Sequence, residues 1–146
     1  MAKILLLSGP NLNLLGVREP HIYGTTTLDE LVASARETAA KFGHDLDHVQ
    51  SNHEGGLVDA IQNARGQCAA IIINAASFTH YAYAISDALL AYEGVKIELH
   101  LSNPYTREPW RHTSVVSPVV DGVICGFRAT GYRLAVEAAA SLLEAK

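Results

Sequence analysis

The chain predicts a three-layer α/β domain with a doubly wound sheet of five parallel strands in the order 2-1-3-4-5. Three observations lead there. Short apolar runs alternate with amphipathic stretches from one end to the other. Two of those runs, Ile71-Ile72-Ile73 and Val123-Ile124, are continuously apolar, as strands covered on both faces should be. No linker, repeat or low-complexity segment interrupts the alternation. Five βα units close into a parallel sheet with helices on both faces, and 2-1-3-4-5 is a common order for five strands.

The first strand is Lys3–Ser8. A long connection follows, from Gly9 to Gly24, armed with Asn11, Asn13, Arg18 and Tyr23. Connections in such domains are usually a few residues, so one this long is functional or irregular. Two readings stay open at this point. The segment is an Ω-like loop with a solvated Arg and a packed Tyr, or it is a reactive segment in which a cation beside a phenol favours the phenolate and makes a base of it. The first helix has the capping box Thr27-Leu28-Asp29-Glu30, the apolar stripe Leu28, Leu31, Val32, Ala35, Ala39 and Phe42, and a stop at Gly43. The second strand is Asp45–Gln50. Ser51-Asn52-His53-Glu54 reads as a second capping box, opening a helix that ends near Gly66. Ala69–Asn74 is the third strand, and a third helix runs from about His80 to Tyr92, closing at Gly94. Lys96–Leu101 is the fourth strand. The segment from Ser102 to Asp121 contains Pro104, Pro109 and Pro118 and is irregular. Gly122–Cys125 is the fifth strand, and the last helix spans roughly Ala129 to Glu144.

Length and composition exclude several function classes. At 146 residues, the chain reads as one domain over residues 1–146. A hydrophobic content of 49% with a net charge of −4 suits a globular chain without a nucleic-acid footprint. The N-terminal apolar run is too short for a signal-peptide core or a membrane span. Cys68 and Cys125 lack metal-ligand spacing and read as buried free thiols in a reducing cytoplasm. His44 and His48 flank a strand start, so no metal site is expected there. Phosphate-cradling loops and the nucleophile elbow are absent from the sequence. Lys3, Lys41, Lys96 and Lys146 fall away from the expected crevice, which argues against a Schiff-base lysine.

In a doubly wound sheet, ligands bind at the carboxyl ends of the strands, near the reversal of strand order. The armed loop follows strand one, Asn74, Ser77, Thr79 and His80 follow strand three, and His100, Ser102, Asn103, Arg107, Arg111 and His112 follow strand four. Those strands are neighbours in the predicted order, so three polar clusters converge on one crevice. Its Arg, Asn, Ser and His groups suit a small polyhydroxylated carboxylate. Glu98 and His100 are two apart on one strand and share a face. A carboxylate there can orient the imidazole and keep it protonated, as a general acid requires; the alternative is a strand-end His satisfied by a neighbouring carboxylate.

Gly9-Pro10-Asn11-Leu12-Asn13, Arg18-Glu19 to Tyr23-Gly24 and Gln50 to Gly55 together resemble the type II 3-dehydroquinate dehydratases. So do Asn74, Phe78-Thr79-His80, Asp87-Ala88-Leu89, Glu98 to Asn103 and Arg107 to His112, across almost the whole chain in order. The resemblance implies a flavodoxin-like fold and elimination of water from 3-dehydroquinate to 3-dehydroshikimate through an enolate, with no cofactor or metal. It implies Tyr23 as the base, Arg18 as the group that lowers the tyrosine pKa, Asn11 as holder of a water against the enolate oxygen, and His100 as the acid. Asn74, His80, Asp87, Leu101, Ser102 and Arg111 match substrate-binding positions. The family's assembly implies trimers joined as a homododecamer. Asp87 would lie roughly 10 Å along one predicted helix from His80, at about 1.5 Å per residue, too far for one small ring. It is therefore expected either to serve the crevice of an adjacent chain or to be a solvated helix residue. Pro104-Tyr105, Asn74-Ala75-Ala76-Ser77 and Tyr81-Ala82-Tyr83 depart from the usual family pattern. The alternative of a different class is a non-catalytic flavodoxin-like domain that binds a carboxylated metabolite or flavin.

Overall fold

In the computed structural model, which describes residues 1–145, one parallel sheet runs through the molecule. Its strands are β1 (Lys3–Ser8), β2 (Asp45–Gln50), β3 (Ala70–Asn74), β4 (Val95–His100) and β5 (Gly122–Cys125). They lie in the order β2-β1-β3-β4-β5, as the sequence predicts. Helices are α1 (Pro20–Tyr23), α2 (Leu28–Lys41), α3 (Glu54–Ala64), α4 (Tyr83–Leu90) and α5 (Thr130–Glu144).

Strand side chains alternate between two cores, because successive residues of a strand point to opposite faces. Ile4, Leu6 and Ile72 meet Leu31 and Val32 of α2 and Tyr132 and Val136 of α5. Leu5, Leu7, Ile71 and Ile73 meet Leu57 and Ile61 of α3 and Ile85 and Leu89 of α4. The isoleucine run of β3 is fully buried, which explains why it is apolar without alternation. β5 departs from that expectation. It is an edge strand, and Val123 is 47% exposed although Ile124 packs on the α5 side. Continuous apolarity there does not mean cover on both faces within one chain.

The first capping box forms: Thr27 Oγ1 accepts from the Glu30 N–H, and the Glu30 carboxylate accepts from the Thr27 N–H. The second does not. The N-cap of α3 is His53 without a side-chain cap, and the Ser51 hydroxyl accepts from the His53 N–H at 3.0 Å in a local turn. α3 also ends two residues before Gly66, where Arg65 turns extended. The expected third helix is two pieces. Ala76–His80 is a 3-10 turn, and α4 starts only at Tyr83 and ends at Leu90. Ala76, at φ 52°, and Tyr81, at φ −154°, depart from α geometry on either side of His80. His80 and Asp87 therefore do not share a helix, and the axial spacing argument for Asp87 fails. The thiols of Cys68 and Cys125 are free but half-buried, not buried.

Each proline of the segment after β4 opens a 3-10 turn: Pro104–Thr106, Pro109–His112 and Ser117–Val119, the last with Pro118 at its second position. The loop after β1 is also more ordered than expected, with a 3-10 turn over Leu12–Leu14 and α1 placing Tyr23 at its last residue.

Candidate active site

The polar clusters converge where the strand order reverses. A cavity of about 190 Å³ opens at the carboxyl ends of β1, β3 and β4. Asn11, Arg18 and Tyr23 reach it from the first loop, Asn74, Ser77 and His80 from the end of β3, and His100, Leu101, Ser102, Arg107 and Arg111 from the end of β4. Its size suits one small ring, below the several hundred Å³ of larger ligand pockets.

Two backbone features bring the loops this close. Gly9 donates its N–H to Asn74 O at 2.8 Å, and a Cβ at Gly9 would stand 2.4 Å from Ala75 O, so no other residue fits there. Asn11 adopts a left-handed φ of 69°, which Asn tolerates better than most residues. Its N–H donates to Asn52 Oδ1, and Gln50 Nε2 donates both to Asn52 Oδ1 and to Gly9 O. The Gln50-Ser51-Asn52 run after β2 thus holds the turn that carries Asn11.

Two guanidinium groups flank the Tyr23 phenol. Arg18 Cζ lies 4.7 Å from the ring centroid and Arg107 Cζ 5.1 Å from it. The contact with the phenolic oxygen differs from the expectation. Arg107 Nη1, not Arg18, donates to it at 2.8 Å, and also to Ser102 Oγ at 3.2 Å. Arg18 stacks on the ring and pairs loosely with Glu19 at 3.8 Å. Two positive charges this close stabilise negative charge on the phenolic oxygen. Arg107 belongs to the polar cluster expected after β4, but its contact with Tyr23 follows from the tertiary structure.

On β4, His100 Nε2 donates to Glu98 Oε2 at 2.5 Å, so Nδ1 is the ring nitrogen not spent on the carboxylate. Glu98 is almost wholly buried and also accepts from the hydroxyls of Ser114 and Ser117. Burial by itself would raise its carboxyl, but the bond and charge of His100 and the two serine hydroxyls outweigh it and hold Glu98 below the ordinary carboxylate value. His80 differs. Its Nδ1–H donates to Thr113 O at 2.7 Å. Burial lowers its pKa against the pull of that carbonyl, and the charges of His100 and Arg111 act with burial. A neutral His80 with the proton on Nδ1 presents Nε2 as an acceptor. Its ring meets Trp110 edge-on at 5.3 Å, and Arg111 lies over the same indole at 4.0 Å while bonding Glu108.

The residues to which the resemblance gives catalytic or substrate-binding roles all line the cavity except Asp87, which is exposed on α4; of the wider polar clusters, Asn13, Thr79, Asn103 and His112 do not line it. Lys3, Lys41 and Lys96 lie off it; Lys96 Nζ donates to the carbonyls of Leu89 and Tyr92 at the end of α4, and Lys146 lies outside the described residues. Among the described residues, no group of three or more His, Cys, Asp or Glu side chains could hold a metal ion. The chemistry offered is acid–base: a phenol between cations, an imidazole backed by a carboxylate, and Arg, Asn and neutral His groups suited to carboxylate and hydroxyls.

Residues 2–140 match the family model described as dehydroquinase class II. The chain is 57% identical over 134 residues to the catabolic 3-dehydroquinase of Aspergillus clavatus, covering 92% of this chain and 89% of that one. It is 55% identical over 143 residues to the 3-dehydroquinate dehydratase of Aeromonas salmonicida, covering 98% and 96%. The crystal structure of the type II dehydroquinase from Butyrivibrio crossotus superposes with a TM-score of 0.91 at 43% identity, covering 94% of this chain and 97% of that one. With fold, cavity and sequence in agreement over nearly its whole length, the chain belongs to the class II dehydroquinase family.

Proposed function

We propose that this protein is a type II 3-dehydroquinate dehydratase, a hydro-lyase that removes water from 3-dehydroquinate to give 3-dehydroshikimate, in biosynthesis or in quinate catabolism. The observation that carries the reading is Tyr23 held between Arg107 and Arg18 in the cavity that also contains the Glu98-backed His100. The Tyr23 oxygen takes the proton alpha to the ketone, and the C–H electron pair becomes the enolate. Asn11 holds a water against the enolate oxygen. The enolate then collapses to the enone as the C–O bond breaks, and His100 gives its proton to the departing hydroxyl, which leaves as water. Base and acid act at separate carbons, so two groups are needed, and fixed donors stabilise the enolate between the steps. Arg111 and the backbone at Leu101 take the substrate carboxylate; Asn74, neutral His80 and Ser102 take hydroxyls.

The whole activity resides in residues 1–146 as a single catalytic domain, without a cofactor or metal, and the enzyme works in the cytoplasm. It assembles as trimers, four together in a homododecamer. Asp87, exposed on α4 away from its own cavity, then serves a neighbouring chain's site. The exposed Tyr81, Tyr83 and Leu90 around it suit such a contact. Among the described residues, no helix is long and apolar enough to cross a membrane.

The decisive experiment is ultraviolet absorbance from the conjugated enone on addition of 3-dehydroquinate. Turnover by the wild type and none by Tyr23→Phe is expected; silence from the wild type, or a yellow flavin-bearing protein, overturns the reading. Mixing dissociated Tyr23→Phe and Asp87→Ala chains tests the shared site. Reassembled hybrids of confirmed mass should regain activity, and hybrids that stay inactive exclude it.

A further inference from the structure

We infer that Tyr132, on α5 and outside the cavity, is a positioning residue that sets the orientation of the Asn74 amide toward the substrate. The inference rests on the reading above, in which Asn74 binds a substrate hydroxyl.

An Asn side chain has two orientations related by exchange of O and N, and a binding site needs one of them. Here the orientation is determined from two sides. The Ala76 N–H, which can only donate, bonds Asn74 Oδ1 at 3.1 Å. That leaves Nδ2 on the other side, where it donates to the Tyr132 hydroxyl at 3.2 Å. Asn74 is 3% exposed and Tyr132 1% exposed, so water cannot replace either partner without a change of packing. Burial raises the Tyr132 phenol to about 12, against hydrogen bonding from Asn74 and Ser8, so it stays a neutral hydroxyl that accepts from Asn74 and has one proton to place.

The Ser8 hydroxyl, fully buried at the end of β1, lies close enough to the Tyr132 hydroxyl to act on its titration together with Asn74. Ser8 Oγ in turn lies 2.9 Å from His48 Nε2 on β2. Burial, with the Arg36 charge, holds His48 below the ordinary histidine value against the weaker pull of Asp29, so its ring stays neutral. Asn74 donates to the Tyr132 hydroxyl, whose own proton is therefore turned away from Asn74, and Ser8 is held in turn by His48. This arrangement begins at a cavity residue on β3 and is backed by α5, with Ser8 of β1 and His48 of β2 behind it. It leaves Asn74 with one N–H on Nδ2 and one lone pair on Oδ1, the complement of a hydroxyl that both donates and accepts.

The test is a kinetic double-mutant cycle on Tyr132→Phe and Asn74→Ala, with circular dichroism confirming the fold. Tyr132→Phe keeps the ring in place and removes only the oxygen. It should raise KM by about five- to tenfold, the worth of one hydrogen bond, with kcat within about twofold. In the Asn74→Ala background it should raise KM no further, whereas a purely structural role would add its full effect. Ser8→Ala, which spares the Tyr132 ring altogether, should raise KM about twofold to threefold in the same Asn74-dependent way, and it decides the matter if Tyr132→Phe does not fold. Unchanged KM in the Tyr132 and Ser8 variants, or effects that add in full to Asn74→Ala, overturns the inference alone. Unchanged KM in Asn74→Ala overturns the substrate role of Asn74 and the inference with it.

Discussion

The proposed base, Tyr23, and the proposed acid, His100, stand on different kinds of structure. Tyr23 ends a one-turn helix inside a long surface loop, and its phenol is held by side chains from elsewhere: Arg107 on the oxygen and Arg18 on the ring. His100 ends a buried strand, and its partner Glu98 lies on the same strand beneath two serine hydroxyls. One group is positioned by contacts that can open; the other belongs to the sheet. In the proposed reaction, substrate enters a cavity that also excludes water from the enolate, and the side-chain contacts of Tyr23 can open more readily than the strand that carries His100.

The contrast can be tested from its strongest consequence downward. Tyr23→Phe should lower kcat by about 10³–10⁴-fold with little change in substrate binding, since one oxygen is lost. His100→Ala should lower it by about 10²–10³-fold, because water can partly replace an acid at a leaving hydroxyl but not a base at carbon. Near-normal turnover in stopped assays of either variant would remove that residue from its role.

Arg107→Lys should lower kcat by about tenfold to a hundredfold, since an ammonium cannot bond the Tyr23 and Ser102 oxygens in the same fixed geometry. If Arg18→Lys proves the more damaging of the two, ring stacking outweighs the bond to oxygen.

Glu98→Gln sharpens the rigid side. It should lower kcat by about tenfold or more, because a charged hydrogen bond to His100 becomes neutral. It should also flatten stability in acid. The folded Glu98 carboxyl lies below its ordinary value of 4.5, so its stabilising effect is complete above that value and is lost as pH falls through the folded pKa. Thermal melts of wild type should therefore decline more steeply than those of Glu98→Gln below about pH 4.5. Parallel declines would show that Glu98 does not carry the effect.

The smallest effect concerns the loop. Limited proteolysis between Asn11 and Tyr23 should slow by a few-fold when a substrate analogue is bound, while cleavage elsewhere is unchanged. Equal rates with and without analogue would mean that the loop side is as fixed as the strand side.

The sequence by itself determined the sheet and its order, because strand burial and helix stripes are periodic properties readable from spacing. Lys3–Ser8, Asp45–Gln50 and Gly122–Cys125 form with the expected bounds, and the Thr27–Glu30 box caps α2 as written. It also named the polar residues that line the cavity, with a few that do not, since the reversal of strand order brings the ends of β1, β3 and β4 together whatever the loops do. Tertiary structure alone decided the rest. Which arginine meets the Tyr23 oxygen depends on how the segment after β4 folds back across the first loop, and residues 23 and 107 are linked by no local pattern. The break that parts His80 from α4 depends on the φ of −154° at Tyr81, a departure from α geometry that tyrosine does not advertise. Hydrogen-bond partners and crossings of this kind follow from distances between elements, and a linear sequence carries those only after the chain has packed.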